Sequence, residues 1–221
     1  MKGFYVLLGV GCLAGAGWLV YAARHKTVER PSTTAPVAVA AADSFHGYTL
    51  GSDAAPVAIT EYSDFECPFC AAFASVQMPV VREQLIVTGK VRWRFRDFPL
   101  SSHKYSTYAA LAAQCGGEQG RFWEMHDQLF SQHQWAQTGR DPKGLFRDFA
   151  KNIGLDLDRY GACVDSQRYA GRIEASRQEG EALGVNSTPS LFVNGVKFQG
   201  RATSDALQTL VDSLSAARRK R

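Results

Sequence analysis

The segment EYSDFECPFCAAF, residues 61–73, places two cysteines two residues apart, directly after a run of β-branched and apolar residues. The run PVAITEYSDF (56–65) predicts a strand, and residues 68–89 predict a helix whose first turn suits its proline, because no hydrogen bond is lost there. Cys67 and Cys70 therefore stand where a strand passes into a helix. Such a pair can be a redox couple, half of a metal site or a structural disulfide.

The position of the pair favours redox chemistry. A thiolate at Cys67 would face unpaired N–H groups and the positive end of the helix dipole, which lower the pKa of a thiol. Cys70, one turn deeper, can reach Cys67 to close a disulfide. We therefore expect Cys67 to be an exposed nucleophile and Cys70 a shielded resolving thiol. The neighbouring acids Asp64 and Glu66 are interpreted as exposed loop charges.

The zinc interpretation is weaker because a zinc site needs four ligands, often two such cysteine pairs. The sequence has no second C-x-x-C and no closely spaced histidine pair. His103, His126 and His133 invite a metal interpretation, but WEMHDQLF is typical of an amphipathic helix with His126 beside its apolar face. A structural disulfide across four residues would fix little of the fold. We expect neither a metal nor a cofactor.

The remaining pattern predicts an α/β sheet domain with a helical insertion. KVRWRFRDFP (90–99) alternates like a strand, and Pro79 is expected to kink or split the helix before it. Several amphipathic helices follow. SLFVNGVKFQG (190–200) predicts a hairpin that turns at Asn194-Gly195, and one more amphipathic helix closes the domain.

Composition narrows the class of protein. The chain has 221 residues, of which 45% are hydrophobic, as in a globular protein. Its net charge is +4, and the basic tail ARRKR (217–221) alone carries four cations. The remainder is near neutral and lacks the basic face of a nucleic-acid-binding protein. The tail is interpreted as a solvated helix end, with a weak contact to a membrane surface as the alternative.

Residues 1–26 are predicted to form a signal anchor with a transmembrane helix. Residues 3–23 are uncharged and, as a helix, roughly 31 Å long, enough to cross a hydrocarbon core of about 30 Å. A cleaved signal peptide is the alternative, whereas lipid attachment at Cys12 is disfavoured by the small residue three positions before it. Residues 27–45, rich in Ala, Thr and Pro, predict a linker, and the folded domain covers 46–216.

The chain resembles the DsbA-like thiol:disulfide oxidoreductases of the thioredoxin superfamily, especially the branch with D-F-x-C-P-x-C near the start. The resemblance lies in EYSDFECPFC, FRDFPLSSHKYSTYAALAAQC, GRFWEMHDQLF and GVNSTPSLFVNG, in the family's order. The expected fold is therefore α/β, a thioredoxin fold with an inserted helical domain at about 101–184, preceded by the N-terminal transmembrane anchor.

The resemblance also implies roles for particular residues. Pro189 would be a cis-proline beside the cysteines, although an ordinary turn is the alternative. The backbone at Thr188 would hold an extended substrate like an added strand, and Pro68 and Phe69 would contact that substrate. Glu61 would be a buried acid with a raised pKa that assists proton transfer at the resolving cysteine. The alternative for this acid is a strand-end carboxylate in solvent.

Two further expectations concern oxidising strength and stability. The best-known members have Pro-His between the cysteines; a histidine can donate a hydrogen bond to the thiolate and Phe69 cannot, so a weaker oxidant is expected. The resemblance also implies a second disulfide between Cys115 and Cys163. It would close a loop of about 49 residues and stabilise the domain by about 4 kcal/mol. Two buried free thiols are the alternative.

The expected function is that of a protein disulfide oxidoreductase, which donates the Cys67–Cys70 disulfide to reduced proteins on the extracytoplasmic face of a bacterial inner membrane. By resemblance, the reoxidising partner would be a quinone-linked, DsbB-like thiol oxidase in the membrane. Nucleic acid is not expected as a partner, and a monomer is expected. The alternatives are a reductase or isomerase that uses the same site, and a non-catalytic thioredoxin-fold chaperone or binder.

Overall fold

The computed structural model describes residues 45–219. Outside the described residues lie the predicted signal anchor at 1–26, which includes Cys12, residues 27–44 of the predicted linker and residues 220–221 of the basic tail. Within 45–219, no helix is both apolar and long enough to cross a membrane.

A five-stranded mixed sheet forms the centre of the domain. Its strands are β1 (Tyr48–Leu50), β2 (Val57–Ser63), β3 (Val91–Asp97), β4 (Ser190–Val193) and β5 (Val196–Lys197). They lie in the order β1–β3–β2–β4–β5, with β2 and β3 parallel and the other neighbours antiparallel. The predicted strands and the hairpin are confirmed. Strand β1 is not predicted, because three residues at a sheet edge are too few to show an alternation.

The helix after β2 is divided around its proline, as predicted. Helix α1 (Pro68–Ala72) passes into a π-helical turn (Phe73–Gln77), then α2 (Met78–Val81) and a second π-helical turn (Arg82–Ile86). Pro79 cannot donate a backbone hydrogen bond and its ring crowds the preceding turn, and widened turns relieve that conflict.

Five α-helices lie between β3 and β4. They are α3 (Ser106–Glu118), α4 (Phe122–Ser131), α5 (Lys143–Asn152), α6 (Leu157–Asp165) and α7 (Ala170–Ala182), with a 3-10 turn (His133–Gln137) after α4. Helix α8 (Ser204–Arg219) follows the hairpin. The order strand, helix, strand, helices, hairpin, helix is that of a thioredoxin fold with helices inserted in its middle.

The two faces of β2 meet different parts of the core. Ile59 packs with Trp93, Phe73 and Leu207, in a cluster that includes residues of α2 and α8. Tyr62 packs on the opposite face, in a smaller cluster with Phe98 and Phe192. Because alternate residues of a strand share a face, Glu61 and Ser63 lie on the same face as Ile59, beneath the helix that carries the cysteines.

Candidate active site

Cys67 occupies the N-cap position of helix α1. The chain leaves β2 and enters α1 through a short loop, and Cys67 keeps an extended backbone with φ −75° and ψ 123°. Its N–H donates to the carbonyl oxygen of Asp64 at 3.1 Å, and its carbonyl oxygen accepts from the N–H of Ala71 at 3.0 Å. The thiol is thus fixed at the amino end of the helix, where the sequence predicts it.

The surroundings of Cys67 stabilise its thiolate. The pKa of this thiol is lowered to about 5, above all by a hydrogen bond from the Cys70 thiol, then by the Thr188 side chain and by the backbone N–H groups of Cys70 and Phe69. Burial opposes the shift but does not overcome these donors. At neutral pH the sulfur of Cys67 is therefore an anion, which is the nucleophilic form of cysteine.

Cys70 has the opposite character. Burial is the main cause that raises its pKa well above that of an ordinary thiol, and its contact with the Cys67 sulfur adds to the rise. The backbone of Asp64 and the side chain of Ser63 offset part of that shift. One cysteine is thus held as a thiolate and its neighbour as a thiol, which gives the pair two distinct chemical roles.

The predicted exposure of Cys67 is wrong, although the predicted order holds. Cys67 is only 4% exposed and Cys70 is fully buried. A loop distant in sequence covers Cys67, whose sulfur lies 3.5 Å from the carbonyl oxygen of Thr188. That cover comes from a tertiary contact across 121 positions, so local sequence does not reveal it.

Glu61 lies inside the domain and not in solvent. It is 2% exposed, and the Trp93 indole N–H donates to its Oε2 at 3.1 Å. Burial raises the pKa of this carboxyl to about 7, and hydrogen bonds from Ser63 and Trp93 offset part of the rise. A carboxyl that titrates near neutral pH can both give and take a proton under physiological conditions.

An open groove runs beside the cysteines. The Thr188–Pro189 peptide is cis, and both residues line this groove of about 590 Å³. Phe69 and Val76, on the opposite wall, are 74% and 63% exposed. Large apolar side chains left in solvent at the rim of a groove mark a surface that can bind another molecule. Pro68, itself exposed, begins the helix that forms this wall.

The interpretation of Asp64 and Glu66 as exposed loop charges is wrong. Asp64 is 1% exposed, and its carboxylate accepts from the N–H groups of Glu66 and Leu100, both at 2.8 Å. It also contacts the Ser106 hydroxyl at 2.6 Å and the His103 ring at 2.7 Å. Glu66 is partly buried. Asp64 therefore ties the cysteine loop to the segment after β3.

Cys115 and Cys163 form a disulfide between α3 and α6, with an S–S distance of 2.01 Å and a Cα–Cα distance of 5.8 Å. Both residues are fully buried, in an apolar cluster that also contains Cys67 and Cys70. This is the pairing that the resemblance implies.

The histidines do not come together. His126 is buried, its Nδ1 lies 2.8 Å from Asp127, and it is surrounded by aromatic rings, whereas His103 contacts Asp64. Across residues 45–219, no three His, Cys, Asp or Glu side chains group closely enough to hold a metal ion.

Sequence comparison places this site among known proteins. A family model described as Thioredoxin matches residues 44–213. Over 180 residues the chain is 38% identical to the Na(+)/H(+) antiporter NhaA 3 of Salinispora tropica, which covers 81% of this chain but 26% of the antiporter. The chain thus spans about a quarter of the length of the first curated relatives it matches. The disulfide bond formation protein D of Bacillus subtilis is 26% identical over 166 residues, 74% of each chain.

Solved structures of similar fold include BdbD and α-DsbA1. Oxidised BdbD from Bacillus subtilis superposes with a TM-score of 0.64 at 26% identity, covering 75% of this chain and 91% of that one. The α-DsbA1 of Wolbachia pipientis gives a TM-score of 0.66 at 23% identity, covering 76% and 90%.

A C-x-x-C pair at the start of a helix, a cis-proline beside it and a mixed sheet define the class of thiol–disulfide exchange proteins with a thioredoxin fold. The chain belongs to the thioredoxin superfamily and is DsbA-like within it.

Proposed function

We propose that this chain is a disulfide donor, an oxidase that introduces disulfide bonds into proteins outside the cytoplasm through Cys67 and Cys70. The observation that carries this proposal is the division of the pair into a thiolate and a thiol. A Cys67 pKa of about 5 stabilises the reduced form at neutral pH. Stabilising the reduced form makes the disulfide a stronger oxidant.

The proposed reaction moves two electrons from a substrate dithiol to the Cys67–Cys70 disulfide. A substrate thiolate attacks the sulfur of Cys67, the bond to Cys70 breaks, and Cys70 leaves with the electron pair and then takes up a proton. The second substrate thiolate attacks the substrate sulfur of the mixed disulfide. Cys67 leaves as a thiolate, which its low pKa favours.

Glu61 is the proposed proton source for Cys70. Its pKa of about 7 lets it hold a proton before the attack and give it up when Cys70 becomes an anion. The backbone at Thr188 and Pro189 would hold the substrate in an extended form, and Pro68 and Phe69 would contact its side chains. The groove that Phe69, Thr188 and Pro189 line supports this assignment.

The proposed setting is the extracytoplasmic face of a bacterial inner membrane. Residues 3–23 would anchor the domain and 27–45 would link it to the anchor, or the segment would be cleaved to leave a periplasmic protein. A DsbB-like, quinone-linked thiol oxidase would reoxidise the pair. A reporter fused after Arg221 is expected to be active outside the cytoplasm, and a reporter active only inside would contradict this orientation.

The test of direction is the reduction potential of the pair, measured by equilibration with glutathione. An oxidase is expected to lie well above the potentials of cytosolic reductases, and a potential as low as theirs would refute the assignment. Oxidation of a reduced, unfolded substrate protein should require Cys67. If Cys67→Ala acted on that substrate as the wild type does, the protein would be a binder or chaperone and not an oxidase. Faster rescue of a scrambled substrate than of a reduced one would point to an isomerase.

A further inference from the structure

Ser63 carries a buried hydroxyl that neither the predicted site nor the fold accounts for. The residue is the last of β2 and is 1% exposed. Its hydroxyl makes no hydrogen bond of standard geometry with any other group in residues 45–219. A buried hydroxyl without a partner destabilises the folded state, so its retention calls for a reason.

The position of Ser63 supplies that reason. It lies two residues after Glu61 on the same face of β2, towards the end of the strand where α1 begins. The first turn of α1 carries Cys70, which is fully buried and shares a cluster with Phe95, the residue opposite Glu61 in the pairing of β2 with β3. Along the chain, Ser63 therefore lies between Glu61, which can supply a proton, and the helix whose buried sulfur needs one.

The electrostatic effect of the hydroxyl agrees with this placement. The Ser63 side chain lowers the pKa of Glu61 and also that of Cys70, against the larger effect of burial on each. Ser63 thus acts on both groups, while its hydroxyl is not committed to a well-formed hydrogen bond with either. Catalytic hydrogen bonds are often long or poorly aligned until the reacting charge develops.

We propose that Ser63 relays the proton between Glu61 and Cys70 during disulfide exchange. This inference rests on the proposed function of the same site. When Cys70 leaves as a thiolate, the Ser63 hydroxyl donates its proton to that sulfur and accepts the Glu61 proton on its oxygen. Glu61 becomes a carboxylate, Cys70 becomes a thiol, and Ser63 is unchanged. The reverse transfer deprotonates Cys70 when the pair is reoxidised.

Asp97 is the competing acid. It stands directly opposite Ser63 in the pairing of β2 with β3 and is buried, which raises its pKa to about 6. Its carboxylate accepts from Gln114 at 2.6 Å, and the charges of Arg96 and Arg172 act on it. Cys67, Cys70, Glu61 and the buried Asp64 are the other titratable groups near the relay. We assign the proton to Glu61, because the charges of Arg96 and Arg172 favour the ionised form of Asp97 and Gln114 already donates to that carboxylate.

The test is the rate at which dithiothreitol reduces the Cys67–Cys70 disulfide of the full chain, followed by tryptophan fluorescence from pH 5.5 to 8.5 at constant dithiothreitol thiolate. General acids typically contribute about 10²–10⁴-fold, and water can replace part of a relay, so Ser63→Ala is expected to slow reduction about tenfold. The wild-type inflection near pH 7 should be lost in this variant. Ser63→Thr, which keeps the hydroxyl, should recover the inflection.

Ser176→Ala is the matched control. Ser176 is also a buried serine whose hydroxyl lacks a hydrogen-bond partner, but it lies in α7. This variant should match the wild type in rate and pH profile. Identical profiles for Ser63→Ala and Ser176→Ala would overturn the relay, and so would loss of the inflection in Asp97→Asn but not in Glu61→Gln.

A double-mutant cycle gives a second, independent measurement. If the two residues act in one relay, Glu61→Gln and Glu61→Gln/Ser63→Ala should react at the same rate. Rate losses that multiply would refute the relay even if each single variant is slow. A wild-type chain whose disulfide dithiothreitol does not reduce would refute the proposed function itself. Normal wild-type reduction with no effect of Ser63→Ala would refute only the relay.

Discussion

The two cysteine pairs of this domain differ in whether they form a disulfide. Cys67 and Cys70 are free thiols, whereas Cys115 and Cys163 are joined. Burial does not separate them, because Cys67 is 4% exposed and the other three are fully buried. All four cysteines lie in one apolar cluster, and the difference is that the first pair also meets backbone N–H groups, polar side chains and the cis-proline loop.

The two pairs also differ in the length of the loop that a disulfide within each pair closes. The Cys115–Cys163 bond spans 48 positions and is worth about 4 kcal/mol in the chain-entropy treatment. A bond across the four residues of C-x-x-C is worth about 2 kcal/mol in the same treatment. The long-range pair is therefore suited to hold the helices together, and the short pair can open and close in each cycle at smaller cost to the fold.

The largest expected effect separates the pairs by activity. Cys67→Ala should lower the rate of disulfide transfer to a reduced dithiol peptide by at least about 10³-fold, since the attacked sulfur is gone. The double variant Cys115→Ala/Cys163→Ala should keep that rate within about twofold at a temperature where it remains folded. Loss of transfer in the folded double variant would show that the second pair takes part in the exchange.

The next effect separates them by stability. Cys115→Ala/Cys163→Ala should lose about 4 kcal/mol of unfolding free energy, measured by guanidinium titration of the oxidised protein. The matched control, Cys67→Ala/Cys70→Ala, should lose about 2 kcal/mol or less. Equal losses in the two double variants would contradict the assignment of a structural role to the long-range bond alone.

The buried carboxyl of Glu61, near the first pair, is expected to lower the free energy of unfolding as the pH rises. The folded pKa of Glu61, about 7, lies above its ordinary value of 4.5, so the unfolded state loses this proton first. Stability conferred by the protonated form is complete below about pH 4.5 and falls as pH rises to about 7. The free energy of unfolding of Glu61→Gln, relative to that of the wild type, should therefore rise by about 3 kcal/mol between about pH 4.5 and pH 7. Denaturant titrations at pH 4 and pH 8 measure this difference, and an equal difference at both would place the carboxyl in solvent.

The smallest effect concerns the oxidising strength of the first pair. Phe69→His introduces a donor beside the Cys67 thiolate and should raise the reduction potential by about 30 mV, a tenfold change in the equilibrium with glutathione. Phe69→Leu is the matched control and should leave the potential unchanged. A histidine variant with the potential of the leucine variant would show that the thiolate is already fully stabilised by its other donors.

In this protein, the local sequence predicts the order of the secondary-structure elements. It does not predict the contacts between distant residues. The strand β2, the divided helix around Pro79 and the hairpin at Asn194-Gly195 are each specified by residues a few positions apart. Asp64 shows the limit, because Leu100, His103 and Ser106 bury it from 36 to 42 positions away. No pattern around residue 64 distinguishes that acid from an exposed one.

The sequence by itself determined that Cys67 starts a helix after a strand, and that its thiol is therefore activated, because the helix dipole and the unpaired N–H groups are local properties of the chain. Only the tertiary structure decided that Thr188 covers Cys67 and that burial raises the pKa of Glu61. It also left the Ser63 hydroxyl buried, without a hydrogen-bond partner in residues 45–219, on the same strand face as that acid. Desolvation depends on what the rest of the chain packs over a residue, and the packing of distant segments is not written in its immediate neighbours.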